Sequence, residues 1–155
     1  MRITIVAVGQ RQPDWAETAV ADYLARFPSD FRVELKTVKA ETRAGQPPAR
    51  LMAAEAERIR AALPSGSLLV ALDERGRDLS TTQFAQQLGK WRDSAESPAF
   101  IIGGADGLDP GLKSDARMMM RLSAMTLPHA LARVLLAEQV YRAWSLLANH
   151  PYHRA

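Results

Sequence analysis

Glu138 and Arg142 stand four residues apart in the apolar run LARVLLAEQVYRAW, acid first. On a helix this spacing puts both side chains on one face, in the favourable order for an ion pair. Such pairs are ordinarily structural. At a site, the same two groups orient a substrate or handle a proton. The chain has three histidines, His129, His150 and His153. Imidazoles are the side chains best suited to moving protons near neutrality. His153, in the closing stretch NHPYHRA, is the stronger candidate, whereas His129 at the start of the long apolar run reads as a cap or packing residue. No acidic or thiolate pattern accompanies the imidazoles, so no metal site is expected. Cysteine is absent, which excludes disulfides, thiolate ligands and a cysteine nucleophile.

Three further stretches carry chemistry. Gly103, Gly104 and Gly107 follow the apolar run PAFII, where glycine permits a sharp turn and close approach to a ligand. They form neither GxGxxG nor a GK[ST] phosphate loop, and a tight strand-to-helix turn explains them equally. LSAMTLPH mixes small, hydroxylic and apolar residues, a composition suited to wrapping an uncharged ring with backbone groups; by pattern alone it reads as core. Lys36, Lys39, Arg43 and Arg50 gather around a single acid, Glu41, and with Arg75 and Arg77 they could form a patch for phosphates. Aromatic residues for stacking bases are scarce there, so RNA contact would lean on charge and shape.

The elements that must hold these residues alternate. RITIVAV is a buried strand ending at Gly9, and DWAETAVADYLARF is a helix closed by Pro28, with Trp15, Ala19, Tyr23 and Phe27 at helical spacing. FRVELKTV alternates as a strand with one face covered. A loop through Gly45, Pro47 and Pro48 leads to the helix ARLMAAEAERIRAAL. LLVALD is a short buried strand, ERGRD a turn, and Ser80 with Gln83 a capping box for TTQFAQQLGKWRD. PAFIIGG is another buried strand, ADGLDPGLKSDA a loop with a short helix, and MMMRLSAMTL a fifth strand and loop. Pro128 then opens the long helix HALARVLLAEQVYRAWSLLA. Strands alternating with helices predict an α/β fold, a mostly parallel sheet with helices on both faces and ligands beyond the carboxyl ends of its strands.

A chain of 155 residues with 47% hydrophobic and 24% charged residues fits one domain, 1–155, that buries its own core. No run of about 18 apolar residues is present to span a bilayer, and the first strand lacks a cleavage site, so a cytoplasmic location is expected. A net charge of +3 is compatible with a polyanionic partner but does not demand one.

LSAMTLPHALARVLLAEQVYRAWSLLANHPYHR resembles the C-terminal signature of the RlmH family, SPOUT-class methyltransferases of large-subunit ribosomal RNA. VAVGQRQPDWAETAVADYLARFP, LDERGRDLST and FIIGGADGL resemble the same family in the same order. The resemblance implies a SPOUT fold with a C-terminal deep trefoil knot, an exception to the rule that chains avoid knots. It implies a homodimer that uses S-adenosylmethionine to methylate N3 of a pseudouridine, position 1915 in the usual naming, in helix 69 of 23S RNA on the 70S ribosome. Leu72, Gly103, Gly104 and the six residues Leu122, Ser123, Ala124, Met125, Thr126 and Leu127 would then form the donor pocket. Glu138, Arg142, Tyr152 and His153 become the candidates for handling the target base, with Arg154, Arg75 and Arg77 for RNA. Arg77 stands where many relatives have lysine, and the loop at 41–48 is less basic than in some. The alternatives are a knotted methyltransferase for another RNA and a non-catalytic ribosome-binding protein on the same fold.

Overall fold

The structure is a computed structural model that describes residues 1–153. Five strands, β1 (Arg2–Val8), β2 (Arg32–Val38), β3 (Leu68–Asp78), β4 (Pro98–Ile102) and β5 (Met118–Arg121), form one sheet in the order β2-β1-β4-β3-β5. Every pairing is parallel. The connections run through α1 (Asp14–Leu24), α2 (Pro48–Ala62), α3 (Thr81–Asp93) and α4 (Pro110–Asp115), and α5 (His129–Leu147) follows β5.

The alternation of strand side chains explains how the sheet divides the core. Ile3, Ile5 and Ala7 of β1, with Phe100 and Ile102 of β4, pack against Phe84 and Leu88 of α3 and Leu136 and Val140 of α5. Val6 and Val8 of β1, with Leu69 and Ala71 of β3, face the other way, toward Ala56 and Ile59 of α2 and Leu112 of α4. Helices therefore cover both faces, as the continuous apolar strands require. Arg133 of α5, only 4% exposed, reaches across the first layer, and its Nη2 donates to the carbonyls of Val8 and Gly9 at 2.7 Å each. Burial holds this guanidinium below its ordinary pKa.

Ser80 caps α3 as expected. Its hydroxyl accepts from the Gln83 amide at 3.1 Å, and the Gln83 side chain accepts from the Ser80 amide at 2.9 Å. Three expectations change. ERGRD is not a free turn, because β3 continues to Asp78. Met120 of β5 is opposed first by Leu72 and again by Arg77, so the residues between them bulge outward. Gly76 makes that crossing possible, since a Cβ there would sit 2.5 Å from the Met120 backbone. In α1, Ala16 and Val20 are buried while Trp15 is 55% exposed, so Trp15 is not on the buried face, and the helix ends at Leu24, short of Phe27. His129 neither packs nor caps; it is exposed, and α5 has no side-chain cap hydrogen bond. No helix is long and apolar enough to cross a membrane among the described residues.

Candidate active site

Asn149 shapes the tail. Its φ of 55° is the left-handed conformation that asparagine tolerates better than most residues. It ends α5 in a Schellman arrangement. The His150 amide donates to the Ser145 carbonyl at 2.8 Å, and the Asn149 amide to the Leu146 carbonyl at 3.4 Å. Pro151 then prevents the helix from resuming. The reversal turns the last residues back along α5, and the His150 ring lies 5.2 Å from that of Trp144.

The returning chain reaches Glu138 and Arg142. Arg142 donates from Nη2 and Nε to Glu138 Oε1, at 2.6 and 2.8 Å. The expected ion pair is present, and it is also part of a larger cluster. The Tyr152 hydroxyl lies 3.1 Å from the same carboxylate oxygen and 3.3 Å from the hydroxyl of Tyr23 on α1. Gln139 Nε2 donates to Glu138 Oε2 at 2.8 Å. The Tyr152 ring stands edge-on to Tyr141, centroids 4.6 Å apart, and Arg142 lies 5.0 Å from the Tyr152 ring centre. Glu138 raises the Arg142 pKa. Tyr152 is pushed well above the ordinary phenol range, by burial first, then by its contact with Tyr23 and the nearby Glu138 charge. It stays protonated and cannot serve as a base near neutrality.

His153 is held separately. Ser145 Oγ donates its one proton to the Arg142 carbonyl at 2.7 Å and lies 3.2 Å from His153 Nδ1. With the hydroxyl proton on the Arg142 carbonyl, the contact favours the tautomer in which Nδ1–H is the donor. Nε2 is then the basic nitrogen of the neutral ring.

The expected donor-pocket residues converge at one sheet end. Leu72 does not end β3 but lies mid-strand, just before the bulge; it pairs with Ile102 and Met120, which brings it beside the ends of β4 and β5, and Gly103 and Leu122 follow directly from those two strands. A Cβ on Gly103 would sit 2.6 Å from the Gly107 backbone, and one on Gly104 2.9 Å from Glu55 Oε1. The turn's own packing therefore demands Gly103, whose neighbours are backbone, whereas at Gly104 the close neighbour is the Glu55 side chain. The reading of LSAMTLPH as core fails: Ala124, Met125 and Thr126 are exposed, Met125 by 79%. A cavity of about 310 Å³ lined by Ser80, Thr81, Arg121 and Gln139 shares only Leu122 with the expected donor wall.

Arg75 and Arg77 are exposed on the extension of β3. Arg154 lies outside the described residues. The basic loop is less free than its composition suggests: Arg43 pairs with Asp106 at 2.9 Å, and Lys36 donates to the Ala62 carbonyl at 3.2 Å. Glu55 Oε2 accepts the Glu41 amide at 2.9 Å and holds the loop's start. Sequence reasoning missed Tyr23, Ser145, Gly76 and Glu55 as site or supporting residues. No group of three or more potential metal-ligating side chains occurs among the described residues.

A family model described as "Predicted SPOUT methyltransferase" matches residues 1–153. The chain is 56% identical over 156 residues to "Ribosomal RNA large subunit methyltransferase H" of Bordetella avium, covering 100% of both chains. It is 57% identical over 154 residues to the protein of the same name from Albidiferax ferrireducens, covering 99% of each. Among solved structures, a probable methyltransferase from Bordetella pertussis shares the fold, with a TM-score of 0.57 and 21% identity over 92% of this chain and 95% of that one. On its sheet, its tail and its full-length identity to these relatives, the chain belongs to the RlmH family of SPOUT methyltransferases.

Proposed function

We propose that the protein transfers the methyl group of S-adenosylmethionine to N3 of the helix 69 pseudouridine of 23S RNA, on the assembled 70S ribosome. The observation that carries this reading is the 56% identity to a large-subunit rRNA methyltransferase across the whole chain, tail included. In this reading the whole chain acts as one domain with a deep trefoil knot, works as a homodimer in the cytoplasm, and uses Arg75, Arg77 and Arg154 toward RNA.

The residues at the sheet end fit the donor. Leu72, Gly103, Gly104 and Leu122–Leu127 are uncharged, and the exposed loop offers backbone groups to an adenine. The donor carries no phosphate, which accounts for the absence of a phosphate loop. When bound it supplies a sulfonium methyl whose bond to sulfur breaks as the bond to N3 forms, and N3 must lose its imide proton.

The protein's own groups divide that work. His153 Nε2 takes the N3 proton, while the Arg142 cation favours the developing imide anion. Tyr152, kept neutral, positions the base. Along α5, Glu138 is nine residues from His129, about 14 Å, and Ser145 is about 24 Å from it. That separation suits a homodimer in which the tail of one subunit serves the donor pocket of the other.

The test is transfer from labelled S-adenosylmethionine to ribosomes lacking the helix 69 methyl mark, to their separated large subunits, and to total tRNA. Incorporation only into intact ribosomes, mapped to the pseudouridine loop, is expected. Incorporation into tRNA alone, or none despite measurable donor binding, overturns the proposed substrate.

A further inference from the structure

The tail is fastened from two sides, and only one of them is α5. Tyr23 approaches from α1, with its hydroxyl 3.3 Å from that of Tyr152. Its ring lies 6.2 Å from Tyr141, and the Arg26 guanidinium lies 4.7 Å from its centre. The same guanidinium is 5.9 Å from the Tyr152 ring, and Asp22 holds it at 2.8 Å. Asp22 and Tyr23 of α1 and Arg26, two residues past its end, thus form one surface against which Tyr152 closes.

The chemistry of the two hydroxyls gives the contact a direction. Tyr152 has one phenolic proton, and the Glu138 carboxylate can only accept. When Tyr152 donates to Glu138 at 3.1 Å, the proton between the two tyrosines is supplied by Tyr23. The chain Tyr23, Tyr152, Glu138 then runs donor to acceptor in one sense from α1 and converges on a carboxylate oxygen that also accepts from Arg142. Without Tyr23, Tyr152 keeps Glu138 but loses the partner that fixes its remaining lone pair.

We propose that Tyr23 is a positioning residue for methyl transfer: by hydrogen bond and aromatic contact it fixes the angle at which Tyr152, and with it His153, is presented to the target base. The proposal rests on the reading of the tail as the element that holds that base. Nothing in it requires Tyr23 to touch the donor or the RNA.

Tyr23→Phe keeps the ring and removes only the donating hydroxyl. The expected result is a fall in single-turnover methyl transfer of about five- to tenfold, the range of one lost hydrogen bond. Donor affinity, measured by equilibrium binding of S-adenosylmethionine, should stay within about twofold, because the donor loops are untouched. Combining Tyr23→Phe with Tyr152→Phe should be no slower than Tyr152→Phe alone, since both remove the same contact. A wild-type rate in Tyr23→Phe overturns the proposal, as do fully multiplicative losses in the double variant or a fall in donor affinity equal to the fall in rate. If the wild-type protein methylates no ribosome, the reading of the tail fails separately, and amide exchange at Tyr152 decides the contact itself. Faster exchange in Tyr23→Phe upholds the clamp, and unchanged exchange overturns it.

Discussion

The Oγ of Ser145 lies 3.2 Å from His153 Nδ1 while its own proton goes to the Arg142 carbonyl 2.7 Å away. One hydroxyl thereby selects the histidine tautomer and leaves Nε2 as the ring's acceptor. Replacing His153 with Ala should lower methyl transfer at least tenfold, as removal of a positioned base does. Ser145→Ala should retain the imidazole and lose about three- to tenfold by releasing the tautomer. Initial rates with labelled donor and unmethylated ribosomes measure both, and equal rates in all three proteins would remove His153 from the mechanism.

Tyr152 should titrate late. Its folded pKa is raised, so its contribution to stability is fully present below the ordinary tyrosine value of about 10 and is lost as pH rises through the higher folded value. The chain has three tyrosines. Ultraviolet titration should show one that ionises after the others, and that late step should vanish in Tyr152→Phe. A Tyr152 that ionises at about 10 would contradict its half-buried contact with Glu138.

Asn149 carries the reversal of the tail at a φ of 55°. Asn149→Gly should keep the melting temperature and the activity, because glycine adopts this conformation without strain. Asn149→Val should cost on the order of 2 kcal/mol and release the tail, with activity falling further than stability alone explains. Thermal melts and rate measurements on the two variants separate these effects.

Gly103 should tolerate no side chain, and Gly104 only one that the Glu55 carboxylate can move aside for. A Cβ at Gly103 meets backbone atoms of Gly107 at 2.6 Å, which cannot rotate away. Gly103→Ala is expected to destabilise by about 1–3 kcal/mol, the cost of overpacking, and to weaken S-adenosylmethionine binding. Gly104→Ala meets the Glu55 carboxylate at 2.9 Å, and pairing it with Glu55→Ala should recover part of the loss.

Arg75→Ala and Arg77→Ala should each weaken ribosome binding without changing donor affinity. If each arginine contacts one phosphate, each loss should reduce the slope of log affinity against log salt by about one. Filter binding over a salt series reads this out directly.

Much of the fold was legible because it rests on local chemistry. The β-branched runs, the Ser80 and Gln83 box and Pro128 before α5 each specify their own element, and the structure has them where they were expected. ERGRD was misread because its polar residues lack the apolar alternation of a strand, and what makes it one is the close passage of Gly76 over Met120. The Glu138 and Arg142 pair was visible from helical spacing, but the partners that make it a site, Tyr23 and Tyr152, meet only through tertiary packing. The path of the tail was not legible in sequence, because it is set by a backbone motif at Asn149 that turns residues 150–153 back along α5.

Arg133 gives the molecule an order of assembly. Its guanidinium closes on the Val8 and Gly9 carbonyls across 125 and 124 positions of chain. Contacts of such separation are slow to form, since loop-closure entropy is lost before they repay it. The carbonyl end of β1 must therefore wait for α5 throughout synthesis, exposed to whatever else in the cell offers a donor.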